Sequence, residues 1–389
     1  MLTRRVVSSS LAMFAVGMLS ACGGGDASSN APGPKTPENP GAATTKQLDA
    51  TAGGRGVSVD DPANKFTYFN LSMGEVVELT DDEAETSTDW HIAFKRAQIK
   101  LNGGVSGPGS VSGAIADAQE DYYDAEGEPN NSVFLNATAD LELISLEAVT
   151  DVSELDFASD RHIAAIIGDF GDDSLWLYNP ITHVVTADPD QWWLVRSSTG
   201  DSYAKFHATN LVKTDTAREI TLEMFVQGVG ESNFSGTAIT PMLNIPLDGG
   251  SACYDFDAAT EVDCSSNNWD VEIEYSNRSY NVWTNGGVSG DGQGAAFGPV
   301  ETADIDDYVS GTVNGSGHNF SAHYISDSVG GLFNDDSWYA YSLQGNHKLW
   351  PNYRVYAIDT GSAQYVLQVL SFYNETGTSG WITIRYKGL

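Results

Sequence analysis

The hexapeptide NGGVSG occurs twice in this chain, at residues 102–107 and again at residues 285–290. A tryptophan precedes each copy, Trp90 in the first and Trp269 in the second. The repeating unit is far longer than one repeat of a solenoid protein. The sequence therefore predicts two similar domains in tandem, and not a stack of short units.

A second motif follows each hexapeptide in the same order: DDSLW at residues 172–176 and DDSW at residues 335–338. Each leads through a tyrosine to a histidine inside an aromatic segment. A histidine that occupies the same place in both copies is the first position to consider for function. The tyrosine and histidine are Tyr178 and His183 in the first copy, and Tyr341 and His347 in the second.

Residues 1–21 are predicted to be a lipoprotein signal peptide. They begin with the basic pair Arg4 and Arg5, and continue with an apolar stretch over residues 11–19 that is too short to span a bilayer. The closing Leu-Ser-Ala before Cys22 resembles a bacterial lipobox, in which the cysteine sulfur receives a diacylglycerol. The alternative is an ordinary cleaved signal followed by an incidental cysteine.

Residues 22–54 are predicted to form a disordered tether between the lipid and the folded domains. They are mostly small or polar, so they cannot bury enough apolar surface to fold. Together with the signal, they predict an exported protein held in the bacterial outer membrane by a lipid on Cys22, on either the periplasmic or the cell-surface face.

The charge of the chain is strongly negative, with 53 acidic against 19 basic residues and a net charge of -34. Nucleic acid is excluded as a partner because its phosphates would be repelled. Acidic clusters at residues 81–83 and 304–307 lack the ligand spacing of an EF-hand, so solvated loops are the preferred interpretation. Cys253 and Cys264 are close in sequence in an exported chain, which predicts one local disulfide.

The residues after the tether predict an all-β fold. Residues 192–195, 353–358 and 381–386 are rich in aromatic and β-branched side chains, which is typical of strands. The Asp-Thr-Gly turn at residues 359–361 follows one such run and predicts a hairpin with the next. Long amphipathic windows are missing from the sequence, so we expect antiparallel β domains with few short helices.

The boundary between the two domains is predicted at residues 228–235, where glycine and serine interrupt the strand pattern. The first β domain then spans residues 55–228 and the second spans residues 229–389. Short helices are expected only near residues 117–122 and 304–308.

Several stretches of both halves resemble the HmuY family. DWHIAFKR at residues 89–96, with NGGVSGPG at residues 102–109, looks like the opening signature of that family. Residues 353–356, 367–373 and 381–386 look like its closing strands. The resemblance implies a tandem pair of HmuY-like β domains in a non-enzymatic surface lipoprotein. Such a protein would bind haem for iron acquisition and pass it to a TonB-dependent outer-membrane receptor.

Haem needs an iron ligand, and neutral imidazole is the commonest one that proteins supply. In the sequence, His183 and His347 follow their Asp-Asp-Ser motifs at similar spacings, and His162 and His323 precede them at similar spacings. These spacings pair His183 with His347 and His162 with His323. We predict these four residues as candidate iron ligands, the first pair foremost. The alternative for each is a histidine at a strand end that bonds to the backbone. The predicted ring-stacking partners of haem are Trp176, Tyr178, Trp338 and Tyr341, and the predicted propionate contacts are Lys95, Arg96, Lys100, Lys348 and Arg354.

A second function is compatible with the same sequence. Exposed aromatic residues would also suit a non-haem surface adhesin or a carbohydrate-binding protein with two β domains. Hydrolysis is disfavoured because the sequence contains neither a Gly-x-Ser-x-Gly elbow nor a His-Glu-x-x-His motif.

Overall fold

The structure is a computed structural model that describes residues 41–53, 64–168 and 173–389. The predicted signal peptide and Cys22 lie outside these residues. Within the described part of the chain, no helix is both long and apolar enough to cross a membrane.

The fold is all-β, as the sequence predicts, and the strands pair antiparallel. In the described residues, the strands are β1 (Thr44–Asp49), β2 (Thr67–Asn70), β3 (Glu75–Val77), β4 (Ile92–Lys95), β5 (Gln98–Leu101), β6 (Ser112–Asp117), β7 (Arg161–Ile163), β8 (Trp176–Asn179), β9 (Val184–Ala187), β10 (Gln191–Arg196), β11 (Tyr203–Lys213), β12 (Ala217–Gln227), β13 (Met242–Pro246), β14 (Gly250–Asp255), β15 (Thr260–Val262), β16 (Val271–Ser276), β17 (Ser279–Thr284), β18 (Ala295–Glu301), β19 (Ser328–Gly330), β20 (Tyr339–Tyr341), β21 (Leu349–Pro351), β22 (Val355–Asp359), β23 (Gln364–Tyr373) and β24 (Ser379–Gly388). The short helices are α1 (Asp81–Ala84), α2 (Asn131–Asn136), α3 (Leu143–Ala148) and α4 (Leu332–Asp335), with 3-10 turns at Glu120–Tyr122, Ile305–Asp307 and Ser321–His323.

A two-residue periodicity explains why these segments are strands. Successive side chains of a strand point to opposite faces of the sheet, so a strand with one buried face alternates in character. In β12, Ile220, Leu222 and Met224 are buried, while the residues between them are partly exposed. Burial of such side chains supplies the main stabilising free energy of each sheet.

The terminal lobe is built from both ends of the folded chain, residues 44–160 and 331–389. Its five-stranded sheet has the order β1-β24-β23-β22-β6, and its four-stranded sheet has the order β3-β2-β4-β5. Buried side chains of both sheets, among them Phe94, Tyr356 and Ile384, form one apolar cluster. This lobe therefore depends on segments that are far apart in sequence.

The central lobe is built from the continuous segment of residues 161–330. Its sheets have the orders β13-β12-β11-β10-β18 and β15-β14-β16-β17. Phe206, Leu222 and Val282 belong to the apolar cluster that these sheets share. The core of this lobe is thus separate from that of the terminal lobe.

The chain crosses between the lobes at β7 and returns at β19. These two strands pair with each other, and His162 lies opposite Val329. Arg161, at the first crossing, forms two hydrogen bonds of 2.8 Å with the carboxylate of Asp335 in α4. Both side chains of this ion pair are about half exposed, so it contributes at most about 1 kcal/mol.

The two sequence repeats therefore exchange their second halves. The NGGVSG segment of the first repeat lies in the terminal lobe, while its Tyr178–His183 hairpin lies in the central lobe. In the second repeat the order is reversed, with residues 285–290 in the central lobe and the Tyr341–His347 hairpin in the terminal lobe. Each lobe is completed by one half of each repeat.

The strand pairing does not follow the predicted boundary between residues 228 and 229. That boundary falls between β12 and β13, which are neighbours in one sheet with Thr221 opposite Met242. The predicted domains 55–228 and 229–389 each contribute strands to both lobes. Periodicity identifies the buried face of a strand, but it carries no information about which strand becomes its partner.

The repeated NGGVSG motif has the same structural role in both lobes. The amide of Asn102 donates a hydrogen bond of 2.8 Å to the carbonyl of Trp90, and Asn285 donates one of 2.8 Å to the carbonyl of Trp269. The side-chain oxygen of each asparagine accepts a backbone N–H from a glycine seven residues later, at 3.0 and 3.1 Å. The motif thus closes a loop around a buried tryptophan.

Other local predictions can be compared directly. The Cys253–Cys264 disulfide is present, the hairpin of β22 and β23 forms as predicted, and 3-10 turns lie at both predicted helical positions. Part of the predicted tether is ordered, because β1 pairs with β24 along six residues. The acidic residues 81–83 form α1 and not a loop, since Thr80 and Glu83 cap its first turn reciprocally.

Candidate functional site

The same tyrosine–histidine pair occurs on an exposed hairpin of each lobe. In the central lobe, the hydroxyl of Tyr178 lies 2.6 Å from Nδ1 of His183. In the terminal lobe, the hydroxyl of Tyr341 lies 2.7 Å from Nδ1 of His347. The ring planes meet at 40° and 42°. The two pairs are therefore closely similar in geometry.

The turn of each hairpin positions its histidine. His183 and His347 both have left-handed backbone conformations, with φ of 56° and 55°. The backbone N–H of His183 donates to the carbonyl of Asn179 at 2.8 Å, and the N–H of His347 donates to Oγ of Ser342 at 3.0 Å. This conformation is uncommon for a residue with a side chain, so the turn holds each imidazole against its tyrosine.

The bond at Nδ1 determines which nitrogen is available to a ligand. When Nδ1 carries the proton and donates to the tyrosine oxygen, Nε2 keeps its lone pair. A hydrogen-bonded partner on the other ring nitrogen is the usual arrangement for a metal-ligating histidine, because it fixes both tautomer and ring orientation. Each hairpin can thus present one oriented imidazole nitrogen.

The central-lobe hairpin also exposes apolar surface. Singly exposed apolar residues are ordinary, but several on one hairpin indicate a binding surface for an apolar ligand or partner. Four of its large side chains are at least 42% exposed: Leu177, Tyr178, Ile181 and Val184. On the terminal-lobe hairpin, Tyr341 is 58% exposed.

Two of the predicted stacking partners do not reach this surface. Trp176 and Trp338 are buried in the cores of the central and terminal lobes. The indole N–H of Trp338 donates to the carbonyl of Ala97 at 3.0 Å. Both tryptophans therefore anchor their hairpins, and only Tyr178 and Tyr341 remain as exposed aromatic rings of the predicted set.

The structure does not place His162 and His323 at equivalent positions. Asp160 and Asp327 are the equivalent residues, and His162 follows the first by two positions while His323 precedes the second by four. His162 lies on β7 with its ring 6.4 Å from that of Trp283. His323 ends a 3-10 turn, so the predicted pairing reflects similar spacing and not similar structure.

His318 has no counterpart in the first copy of the repeat, but its ring centroid lies 6.3 Å from that of His323. The sequence signal that could have identified this pair is the segment HNFSAH at residues 318–323. Spacing from the Asp-Asp-Ser motifs does not indicate this pair, because His318 has no matching histidine in the first copy.

The predicted propionate contacts are mostly engaged within the protein. Arg96 donates to the carbonyl and Oγ of Ser379, and Arg354 donates to the carbonyl of Ala118 at 3.0 Å. The ammonium groups of Lys95 and Lys100 lie over the ring of Phe66, and burial lowers the pKa of both. Lys348 is the one cation of the five that directly follows a hairpin histidine.

His91 and His207 make hydrogen bonds or ring contacts within their own lobes. Nδ1 of His91 accepts the backbone N–H of Leu71 at 3.1 Å, and burial lowers the pKa of His91. His207 stacks on Trp192 with ring centroids 3.8 Å apart, and its Nε2 lies 3.0 Å from the carboxylate of Glu223. Both rings are therefore occupied by contacts within their lobes.

Comparison with known proteins links part of the chain to one family. The model of the HmuY protein family matches residues 63–224. This segment contains the first NGGVSG motif and the Tyr178–His183 hairpin, but it ends before the second copy of either. No curated protein matches the chain.

Solved structures with a distant likeness include two HmuY-related proteins and a lipoprotein. An HmuY-like heme binding protein from Bacteroides vulgatus ATCC 8482 shares 10% identity, with 89% of this chain and 91% of that chain covered and a TM-score of 0.30. The apo HmuY analog of Tannerella forsythia shares 10% identity, with coverage of 90% and 98% and a TM-score of 0.30. A lipoprotein from Bacteroides fragilis NCTC 9343 shares 10% identity, with coverage of 90% and 92% and a TM-score of 0.29.

Proposed function

We propose that this protein is a non-enzymatic haem-binding lipoprotein and that His183 and His347 are the ligands of the haem iron. One observation carries the proposal: an exposed hairpin of each lobe presents the same tyrosine-bonded histidine. The match of the HmuY family model to residues 63–224 supports the choice of haem as the ligand.

The donor set suits haem iron. Bound haem would supply an iron centre that accepts the lone pair of an imidazole nitrogen. In each hairpin, the tyrosine oxygen would accept a hydrogen bond from the Nδ1–H group, which leaves the lone pair of Nε2 available to iron. The protein itself binds and orients the group.

The residues around the two histidines suit the porphyrin ring and the propionates of haem. The exposed side chains of Leu177, Ile181 and Val184 would lose contact with water against the face of a porphyrin, which favours binding. Lys348 follows His347 directly and would pair with a propionate. His162 and His323 have no tyrosine partner among their described contacts, so the proposal does not use them as iron ligands.

Lipid attachment and delivery complete the proposal. The predicted lipid on Cys22 would hold the protein at the outer membrane, and a TonB-dependent receptor would take the haem for iron acquisition. The signal sequence and the resemblance of the NGGVSG segments to HmuY proteins support this part. The exposed position of both hairpins suits transfer, since a receptor can approach them without unfolding the lobes.

Titration of the purified chain with hemin tests the proposal. We expect a Soret band from a six-coordinate, low-spin complex, because two imidazoles supply a strong field from both faces. A His183→Ala or His347→Ala change should shift the spectrum towards a five-coordinate or water-ligated form. His318→Ala is the matched control, since it removes an exposed histidine outside both hairpins.

An unchanged spectrum in the double variant His183→Ala, His347→Ala would contradict the ligand assignment. Absence of any Soret change in the unaltered chain would contradict haem binding itself. The hemin stoichiometry is a further test: one hemin per chain is expected because both histidines bind one iron, whereas two hemins per chain would contradict shared ligation and assign a separate haem to each hairpin.

A further inference from the structure

The central lobe carries a second pair of neighbouring histidines, His318 and His323. Their ring centroids are 6.3 Å apart, and the ring planes meet at 43°. Both residues are exposed, so neither imidazole is part of the core. They belong to a segment that we call the histidine loop, residues 313–323.

The backbone of the histidine loop is fixed on the side of His318. Val313 and Asn319 form an antiparallel bridge that closes a short hairpin. Within it, Oδ1 of Asn314 accepts the N–H of His318 at 2.9 Å, and Nδ2 of Asn314 donates to the carboxylate of Asp307 at 3.0 Å. The side chain of one asparagine therefore connects His318 to the neighbouring 3-10 turn.

The backbone is also fixed on the side of His323. Its N–H donates to the carbonyl of Phe320 at 2.8 Å, and the N–H of Phe320 donates to Thr312 at 2.9 Å. Phe320 is buried in an apolar cluster that includes Trp192 and Leu194. Both imidazoles thus extend from an ordered backbone, which reduces the entropy lost when a ligand holds them together.

The separation of the rings suits a single metal ion. A metal–nitrogen bond to imidazole is about 2.0–2.1 Å long, so two such rings on one ion have centroids roughly 5–6 Å apart, depending on the angle at the metal. The observed 6.3 Å is slightly longer than this range. Both side chains are exposed and can rotate, and binding of one ion by both rings requires a rotation that shortens this separation.

The electrostatic surroundings favour a cation. Asp304, Asp306 and Asp307 lie in and before the 3-10 turn that Asn314 contacts. The chain as a whole carries a net charge of -34, which raises the local concentration of cations. Imidazole nitrogens select zinc, nickel and copper over calcium and magnesium, which prefer oxygen ligands.

We propose that His318 and His323 together bind one divalent transition-metal ion of the zinc, nickel or copper type. No set of three donors among the described residues includes either histidine, so water would complete the coordination. The site uses neither hairpin histidine and does not rest on haem binding. It gives His323 a different role from the haem ligand that residue spacing predicts.

Isothermal titration of the untagged chain with Zn²⁺ tests the site. We expect binding of one ion that is lost in the double variant His318→Gln, His323→Gln. Each single change should weaken binding at least about tenfold, because removing a ligand costs no less than removing its hydrogen-bond partner. His162→Gln is the matched control, since it removes an exposed histidine of the same lobe.

Unchanged Zn²⁺ affinity in the double variant would overturn the proposal. So would displacement of Zn²⁺ by an equal concentration of Ca²⁺, because that result would assign the binding to carboxylates. Thermal unfolding of the variants in the absence of metal should match that of the unaltered chain, since both side chains are exposed. Hemin titration of the same variants distinguishes the two proposals, because we expect hemin binding to be the same as in the unaltered chain.

Discussion

Asp160 and Asp327 occupy equivalent positions at the two crossings between the lobes. The carboxylate of Asp160 accepts the backbone N–H of Leu101 at 2.9 Å, and that of Asp327 accepts the N–H of Thr284 at 2.9 Å. In each lobe the bonded residue directly precedes an NGGVSG motif. This equivalence shows that the lobes are built from matching halves of the two repeats.

The exchange of halves predicts which fragment folds alone. We expect residues 161–330 to give a folded protein with a dispersed NMR spectrum, because both sheets and the core of the central lobe lie within this range. The fragments 55–228 and 229–389 separate paired strands, including β6 from β22. Dispersed spectra from both of these fragments as monomers, with none from residues 161–330, would show that each repeat closes on itself.

Replacing either of two glycines of the repeated motif with alanine should lower the free energy of unfolding. Gly104 and Gly287 have φ of 63° and 64°, and a Cβ at either would overlap the carbonyl oxygen of Asp160 or Asp327. An alanine there should cost about 1 kcal/mol of conformational strain and a further 1–3 kcal/mol, roughly, from overpacking.

Gly345→Ala is the matched control for those changes. Its φ is 68°, but a Cβ would meet no atom within 4 Å, so it should show the strain alone. The measurement is the free energy of unfolding in urea. Equal losses for Gly104→Ala, Gly287→Ala and Gly345→Ala would contradict the close approach at the crossings.

Stability should fall as the pH rises towards neutrality. Burial raises the pKa of Asp270 and of Asp327 to about 6, despite the backbone N–H groups that each carboxylate accepts. The unfolded value is about 3.9, so the folded state binds these protons more tightly. Their stabilising contribution is complete below about pH 4 and is lost as the pH rises through about 6, at roughly 3 kcal/mol per group.

Unfolding by urea between pH 4.5 and 7.5 measures this effect. The variant Asp327→Asn should lose part of the pH dependence, because the amide does not titrate. Asp215→Asn is the matched control, since Asp215 is exposed in the turn between β11 and β12. If the free energy of unfolding depends on pH in the same way for the unaltered chain and for Asp327→Asn, titration of Asp327 does not cause the pH dependence.

The tyrosine partners should tune haem affinity. Tyr178→Phe and Tyr341→Phe keep the ring but remove the oxygen that lies near Nδ1 of each histidine. We expect hemin affinity to fall about 10–100-fold, because the imidazole loses the partner that fixes its orientation. Tyr339→Phe is the control, since Tyr339 lies on β20 and its described contacts include no bond to a histidine. Equal hemin affinities in all three variants would show that Tyr178 and Tyr341 do not support iron binding by the histidines.

Membrane attachment should depend on Cys22. Replacing it with serine removes the sulfur that would carry the lipid, so the processed protein should move from the membrane fraction to the soluble fraction. The measurement is fractionation of cells that express either form. A processed Cys22→Ser protein that still sediments with membranes would count against lipidation.

The sequence by itself determined the local structure of this protein. Runs of aromatic and β-branched residues identify β10 and β24 as strands, and the Asp-Thr-Gly turn identifies the hairpin of β22 and β23. The separation of eleven residues between Cys253 and Cys264 is enough to predict their disulfide. The repetition of a histidine after a tyrosine also identified both hairpin pairs. These features depend on neighbouring residues, whose physical preferences are recorded directly in the chain.

Only the tertiary structure decided how the repeats combine and which distant side chains meet. A strand edge offers the same backbone hydrogen bonds to any partner. The local sequence therefore does not predict that β6 pairs with β22, or that β1 of the predicted tether pairs with β24. The burial of Trp176 and Trp338 follows from the packing of sheets that the chain completes by crossing twice. The segment HNFSAH places His318 and His323 close together in sequence, but the arrangement of the two rings depends on a loop whose shape is set by Asn314 and by the buried ring of Phe320.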